Sequence, residues 1–487
     1  MLGVWLMAVL LLLPAVAAGQ NQSTVTPIQP VVPGPIIIPS PATGAQIIVN
    51  PRTPPSPTIS SAPEVVIPIP TEDTTRPVKI FDIRPTLSLV EDYTDNFNQT
   101  AKDKVSNYRS GISPGLLILL QHPFLTGQLS YTPLAYYDSS SKDAAVNHAL
   151  ATQAIWEITP RLKLTGTEAF TQSDQPAAAD RLNLRQGREQ FTSNTASITV
   201  DYLFEPFAAQ AYYRLSHFSS DSDTTTTHTP GGSLTMTVAQ INAFTLGYEY
   251  LDTKTTVDDT SGRSSTNFFG PTQDSKTTGH QVTGTYTREV SKDVTAGLTA
   301  VYATRDETTM GDRMNFTRKS VSLFSNYVVP EKLIILSNIG VAQLDSDRSS
   351  GSPLVTSNSD ITYFSGPLTL GLRVERGFSE TFGTGQNFGV VETASVSGSV
   401  GYKFTPYLSA FISGAYRENK FRGDGGGGNT QSGQDDKIVS ATANITYQIL
   451  RWLTATVDYT YTDKRSSDPL ASYVENRVRA ALNASFY

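Results

Sequence analysis

The stretch that decides the fold is "KIVSATANITYQILRWLTATVDYTYTD", residues 437–463. From 439 to 447, Val439, Ala441, Ala443, Ile445 and Tyr447 alternate with Ser440, Thr442, Asn444 and Thr446. Alternate residues of an extended chain point to opposite faces, so this is a strand with one apolar and one wet face. Past a short connection the pattern resumes: Leu453, Ala455, Val457, Tyr459 and Tyr461 oppose Thr454, Thr456, Asp458, Thr460 and Thr462. The segment reads as a hairpin with aromatic residues near both ends of its strands.

The same grammar recurs. Ala196, Ile198, Val200, Tyr202 and Phe204 oppose Thr195, Ser197, Thr199 and Asp201, and "ETASVSGSVGYKF" repeats it with Ala394, Val396, Val400, Tyr402 and Phe404. The short connections follow Trp156, Tyr202, Tyr286, Tyr327, Tyr363, Tyr402 and Tyr447, and "LLQHPFL" and "TVAQINA" give two weaker candidates. A blade or solenoid repeat also has a period of this order. The opposite connections decide against it, because they are long and rich in Gly, Ser, Thr and Asp, as in "SSDSDTTTTHTPGGS" and "RGDGGGGNTQSGQDD". Tight turns at one end and long polar loops at the other describe an outer-membrane barrel. The expected architecture is an all-β fold, a transmembrane antiparallel up-and-down β-barrel of about 16–20 strands over residues 79–487.

Composition agrees. Only 38% of the 487 residues are apolar and the net charge is -7, so the chain lacks the basic stripe with which a nucleic-acid binder displaces counterions. Cysteine is absent, which excludes disulfides, thiolate metal sites and a Cys nucleophile. Residues 1–19 read as a signal peptide: an apolar run from Leu2 to Leu13 precedes Ala15-Val16-Ala17, and the run is too short to span a bilayer. Residues 20–78 are rich in proline and lack strand or helix periodicity, which predicts a disordered periplasmic linker. Such an arm can serve as a passive spacer or reach a periplasmic or cell-wall partner.

In lipid, strands can cross only as a closed sheet, with apolar side chains outward and polar ones toward the lumen. The register then places Tyr202, Tyr286, Tyr327, Tyr402, Tyr416, Tyr447, Trp452, Tyr461 and Phe486 at the membrane interfaces. It turns Lys163, Asp201, Arg214, Glu249, Arg305, Arg318, Arg373, Glu375, Lys403, Arg417, Asp458, Glu475, Arg477 and Arg479 inward as pore-lining candidates. Their basic excess predicts a weak preference for anions. In the final strand, "YVENRVRAALNASFY", Val474, Val478, Ala480, Leu482, Ala484 and Phe486 share the lipid face.

With that architecture in place, "LSLVEDYTDNFNQT" (87–100) followed by "YRSGISPGLLI" (108–118) resembles the opening hairpin of the β-barrel porin 2 family of Gram-negative outer-membrane proteins, through Tyr93, Thr94, Asp95, Asn96, Pro114 and Gly115. The terminal aromatics resemble the signal read by the outer-membrane insertion machinery. The resemblance implies a porin-like outer-membrane protein with outer-membrane lipid as its surroundings; some members resemble parts of exopolysaccharide systems.

Nothing in the sequence points to a cofactor or a metal site. His122, His148, His217, His228 and His280 stand singly. His217 beside Asp221 and Asp223 reads as a solvated loop rather than a hydrolytic group, and "GDGGGG" lacks the Lys-Ser/Thr of a phosphate loop. The chain is therefore expected to be no enzyme but an outer-membrane channel for passive diffusion of small hydrophilic solutes. The alternative is a structural or secretion-associated barrel linked to exopolysaccharide export or surface assembly.

Overall fold

The computed structural model describes residues 80–175, 190–221, 223–257, 274–309, 312–347, 351–380, 390–421 and 435–486. The expected signal peptide and proline-rich linker, and most of the longest polar loops, lie outside the described residues, whereas "SSDSDTTTTHTPGGS" (219–233), expected as a loop, is mostly strand, one strand ending at Ser220 and the next opening at Asp223. The described residues form a closed antiparallel barrel of twenty strands.

In chain order these are β1 (Phe81–Thr94), β2 (Asn107–His122), β3 (Leu125–Tyr131 continuing as Leu134–Asp138), β4 (Asp143–Thr159), β5 (Leu162–Ser173), β6 (Phe191–Phe204) and β7 (Phe207–Ser220). They continue as β8 (Asp223–Val238), β9 (Asn242–Val257), β10 (Ser275–Ser291), β11 (Val294–Thr309), β12 (Asp312–Val329), β13 (Leu333–Ser346) and β14 (Leu354–Ser365). The last are β15 (Leu368–Glu380), β16 (Val390–Thr405), β17 (Leu408–Phe421), β18 (Asp435–Leu450), β19 (Leu453–Ser466) and β20 (Tyr473–Ser485). The two pieces of β3 are one strand broken at Pro133, since both pair with β2 and β4 in a single register. Each strand pairs with its sequence neighbours, and β1 pairs with β20 from Thr86↔Ser485 to Thr94↔Arg477. That last ladder closes the sheet, so the first and last strands do not present unpaired edges to lipid.

All nine expected short turns are present at one end of the barrel, and their sequences explain them. Thr159 Oγ1 accepts from the backbone nitrogens of Arg161 (3.2 Å) and Leu162 (3.0 Å), and Thr405 Oγ1 does the same for Tyr407 (3.1 Å) and Leu408 (3.0 Å). The hydroxyl caps the turn while the following proline presets its φ, which is why Thr-Pro marks these corners. The β8–β9 turn instead places Ala239 (φ 53°) and Gln240 (φ 62°) in the left-handed region, the geometry that suits the twist of a tight hairpin.

The large apolar side chains point out. Leu323 is 65% exposed, Leu246 63% and Ile412 61%, part of an apolar outer face that runs round the barrel, whereas a soluble barrel turns its apolar face inward. The predicted interface aromatics all share that outward register; Tyr202, Tyr402, Tyr416, Tyr447, Trp452 and Phe486 are exposed, and the Tyr286 hydroxyl donates to Asn242 Oδ1 (2.8 Å). Tyr327 lies opposite Ile335, and Tyr461 lies opposite Ala441. Trp452 stacks on Phe486, ring centroids 6.2 Å apart, so the terminal aromatic belongs to the lower girdle. The inward face is hydroxyl-rich and cross-linked to itself: Thr227–Thr253 at 3.0 Å, Thr235–Thr245 at 2.9 Å, Thr285–Thr299 at 3.3 Å and Thr167–Ser197 at 2.7 Å.

Candidate functional site in the barrel lumen

The charged positions picked out from the sequence as pore-lining all lie on the inward register, but they form two different environments.

Toward the short-turn end the charges are half-open to the lumen and loosely paired. Lys163 Nζ is 3.8 Å from Asp201 on the neighbouring strand, and Arg373 sits between Asp360 (3.9 Å) and Glu375 (3.8 Å). Asn444 donates to Asp458 (2.5 Å), the Tyr212 hydroxyl donates to Glu249 (2.8 Å), and the Arg214 guanidinium lies 5.7 Å from the Tyr212 ring centroid. Lys403 is exposed just above its turn.

Toward the long-loop end the inward side chains are packed. One cluster occupies the wall where β20, β1, β2 and β3 meet. Arg477 donates through Nε to Asp92 Oδ1 (2.8 Å) and through Nη2 to Gln175 (3.2 Å). Arg109 bonds Asp138 (2.8 Å) and Asp174 (2.5 Å), with its guanidinium carbon 4.7 Å from the Phe97 ring centroid and 4.4 Å from that of Tyr136. Glu475 accepts from Thr94 (2.8 Å) and Gln99 (3.1 Å). Arg479 is flanked in register by Asp92 on β1 and Asp458 on β19. Asp174 and Gln175 follow β5, so the chain leaving that strand turns inward and reaches across β4, β3, β2 and β1 to touch β20.

A second cluster comes from the upper ends of β15 and β16. Pairing of β15 with β14 begins only at Arg376↔Ser357, whereas its pairing with β16 runs on to Glu380↔Val390. Beyond Arg376 the sheet is therefore open between β14 and β15, while β16 stays paired with β17 as far as Val391↔Phe421. Phe378, Glu380 and Val390 have the same parity as the lipid-facing Leu372, Val374 and Val396, yet they do not meet lipid. Val390 packs against Leu251 of β9, with Leu344 of β13 and Phe378 completing the apolar contact. Glu380 is held by Arg305 Nε of β11 (2.9 Å) and Arg318 Nε of β12 (3.1 Å), and Arg318 also donates to Gln281 (3.2 Å). Leu251, Arg305, Arg318 and Leu344 all face inward, so the outer side of this hairpin end lies against the inner wall of the barrel.

Arg417 faces inward on β17, on the same side as the buried Asn419 and Phe421. Nearby, Lys464 and Asp436 form an ion pair (3.3 Å) in which both side chains are fully covered.

The charge balance differs from the expected basic excess. Asp82, Asp92, Asp138, Glu307 and Asp436 also share the inward register, and Asp174 and Glu380 are carried in by bent segments. Arg84, Arg109 and Lys464 face inward as well, so acids and bases come close to balance and the basic excess behind the expected anion preference is not seen. Arg109, Asp92 and Asp138 were within reach of a register projection. Asp174 and Glu380 were not, because their positions depend on where the chain bends.

Residues 356–486 match the family described as Putative beta-barrel porin 2. No curated protein matches the chain. Among solved structures, the chain is similar to the siderophore receptor PirA from Pseudomonas aeruginosa, at 13% identity over 85% of this chain and 81% of that one, TM-score 0.43. It is similar to the FrpB iron transporter (F5-1 variant) from Neisseria meningitidis, at 10% identity over 83% of each chain, TM-score 0.48. It is also similar to the outer membrane protein opdK from Pseudomonas aeruginosa, at 11% identity over 83% and 99% of the two chains, TM-score 0.39.

Proposed function

We propose that this barrel sits in the bacterial outer membrane and serves as a channel for passive diffusion of small hydrophilic solutes, with no covalent chemistry. The observation that carries this reading is the two-sided wall, in which exposed Leu, Ile and Tyr side chains face out while a hydroxyl and charge lining faces in. A closed sheet of about twenty strands encloses more space than its own side chains fill. Because β1 begins and β20 ends at the short-turn rim, the orientation usual for such barrels puts both ends of the barrel in the periplasm, where a proline-rich arm would start.

A second reading is favoured by the packed long-loop end: a structural or secretion-associated barrel whose arm docks an envelope partner through residues 20–78. Swelling of liposomes containing the purified, gel-verified folded protein separates the two. Entry of small sugars at rates that fall with solute size supports the channel. Vesicles no leakier than protein-free ones, with co-purification of envelope partners that depends on the arm, would overturn it.

A further inference from the structure

We propose that the bent ends of β15 and β16 form the size-limiting constriction of the channel, held inside the barrel by the clamp of Arg305 and Arg318 on Glu380. This rests on the channel reading and names the element that sets its cut-off.

The two strands have every reason to stay in the wall. Their ladder is continuous from Leu368↔Tyr402 to Glu380↔Val390, and their outward side chains are apolar up to Val374 and from Val396 onward. What changes at Arg376 is the loss of the β14 partner, since β14 begins pairing at Ser357. Gly377, the first residue past that point, has open space where a side chain would stand, with a single atom, Thr356 Cγ2, at 3.9 Å. The ribbon is the free margin of a larger sheet, since β16 stays paired with β17 up to Val391↔Phe421, and a margin that has lost one neighbour twists and bends more readily than strands held on both sides.

Two interactions fix where it goes. The apolar contact of Phe378 and Val390 with Leu251 and Leu344 covers side chains that would otherwise face the lumen water. The carboxylate of Glu380 meets two guanidiniums from adjacent strands at 2.9 and 3.1 Å, with Arg305 only 6% exposed. Arg305 and Arg318 without Glu380 would be like charges on neighbouring inward positions, so the clamp is also what lets them coexist. The ribbon thus lies along the inside of β9 to β13, at the end of the barrel where the opposite wall carries the Arg109 and Arg477 cluster. Solutes must pass between these two inward masses.

The protein has no cysteine, which permits a reversible test in one molecule. The variant Glu380→Gln, Leu251→Cys, Val390→Cys is purified, confirmed as a folded barrel by heat-modifiable gel migration, and measured in planar bilayers with and without reductant. Cross-linking should hold the ribbon in place and give wild-type conductance and wild-type exclusion of polyethylene glycols. Reduction should release it, raising conductance at least twofold and admitting larger polymers. A maleimide probe on Val390→Cys alone should react slowly, and at least tenfold faster when Glu380→Gln is added.

Equal conductance in the oxidised and reduced states, or failure of the two cysteines to cross-link, overturns the constriction. If maleimide labelling accelerates as expected but no state passes current, the clamp is real while the channel reading fails and the constriction falls with it.

Discussion

Asp95 accepts hydrogen bonds from both the backbone nitrogen and the side-chain amide of Asn476, each at 2.7 Å, although 381 residues separate them. Asn96 extends the clasp, donating to the carbonyls of Val474 (2.9 Å) and Thr100 (2.8 Å) while its own oxygen accepts from Thr100 N (3.0 Å). Residues that suggested a family from sequence therefore act at the seam where the first and last strands meet. Replacing Asp95 by Ala removes two charge-assisted bonds, each contributing about 1.5–3 kcal/mol at most. The expected outcome for Asp95→Ala is a fall of about 2 kcal/mol or more in unfolding free energy, seen as a lower urea midpoint in tryptophan fluorescence, with Asp95→Asn in between. An unchanged midpoint would show that the seam closes without this clasp.

Neighbouring residues of β17 offer a test of the two-faced wall. Ile412 points outward at 61% exposure, midway between Tyr407 and Tyr416, while Ser413 points inward. Arginine at a mid-membrane lipid-facing position costs about 2–4 kcal/mol, whereas a lumen position keeps it wetted. Ile412→Arg should therefore lower the yield of folded barrel in vesicle refolding by tenfold or more, and Ser413→Arg should refold like wild type. Equal refolding of the two would reverse or erase the assignment of faces.

How much of this was legible follows from what each feature depends on. The 439–447 alternation is dictated locally, because period two and a half-wetted sheet are the same statement, and so the strands, faces and aromatic girdles were readable. The turn at Ala239 and Gln240 was only faintly marked, since it takes left-handed geometry without the Gly or Asn that usually signals it. Glu380 shows the limit. Its parity assigns it to lipid, and only the early end of the β14 ladder, a property of three strands together, turns it onto Arg305 and Arg318. The inward position of Arg305 could be projected; its carboxylate partner 75 residues on could not.

Inside the wall, Gly231 supports the Tyr212 ring. A Cβ on Gly231 would stand 2.5 Å from both Cζ and the hydroxyl oxygen of Tyr212, whose hydroxyl is tied to Glu249 at 2.8 Å. Gly231→Ala must displace the ring and break that bond, an overpacking cost of about 1–3 kcal/mol. In a Tyr212→Ala background the same change should cost close to nothing. A double-mutant cycle by urea unfolding reads the difference, and additive effects would mean that the ring and the glycine do not depend on each other.

Ion preference follows from which charges are already committed to partners. Four arginines at the packed end are bound to carboxylates, Arg109 to Asp138 and Asp174, Arg477 to Asp92, and Arg305 and Arg318 to Glu380, while Arg479 lies in register between Asp92 and Asp458. Along the rest of the inner face Asp82, Glu249, Glu307, Asp360, Glu375 and Asp458 face Arg84, Lys163, Arg214, Arg373 and Lys403, with Asp201 beside Lys163. A potential set by these groups favours cations in the wide segment, where screening by salt limits the effect to a permeability ratio of roughly two to five for potassium over chloride. Reversal potentials in a potassium chloride gradient should carry the sign of potassium permeation. Asp201→Asn, which deletes one carboxylate and leaves Lys163 without its partner at 3.8 Å, should move the reversal potential toward zero. A chloride-selective wild type would mean that the arginines at the packed end, rather than the carboxylates along the wall, govern the ion pathway.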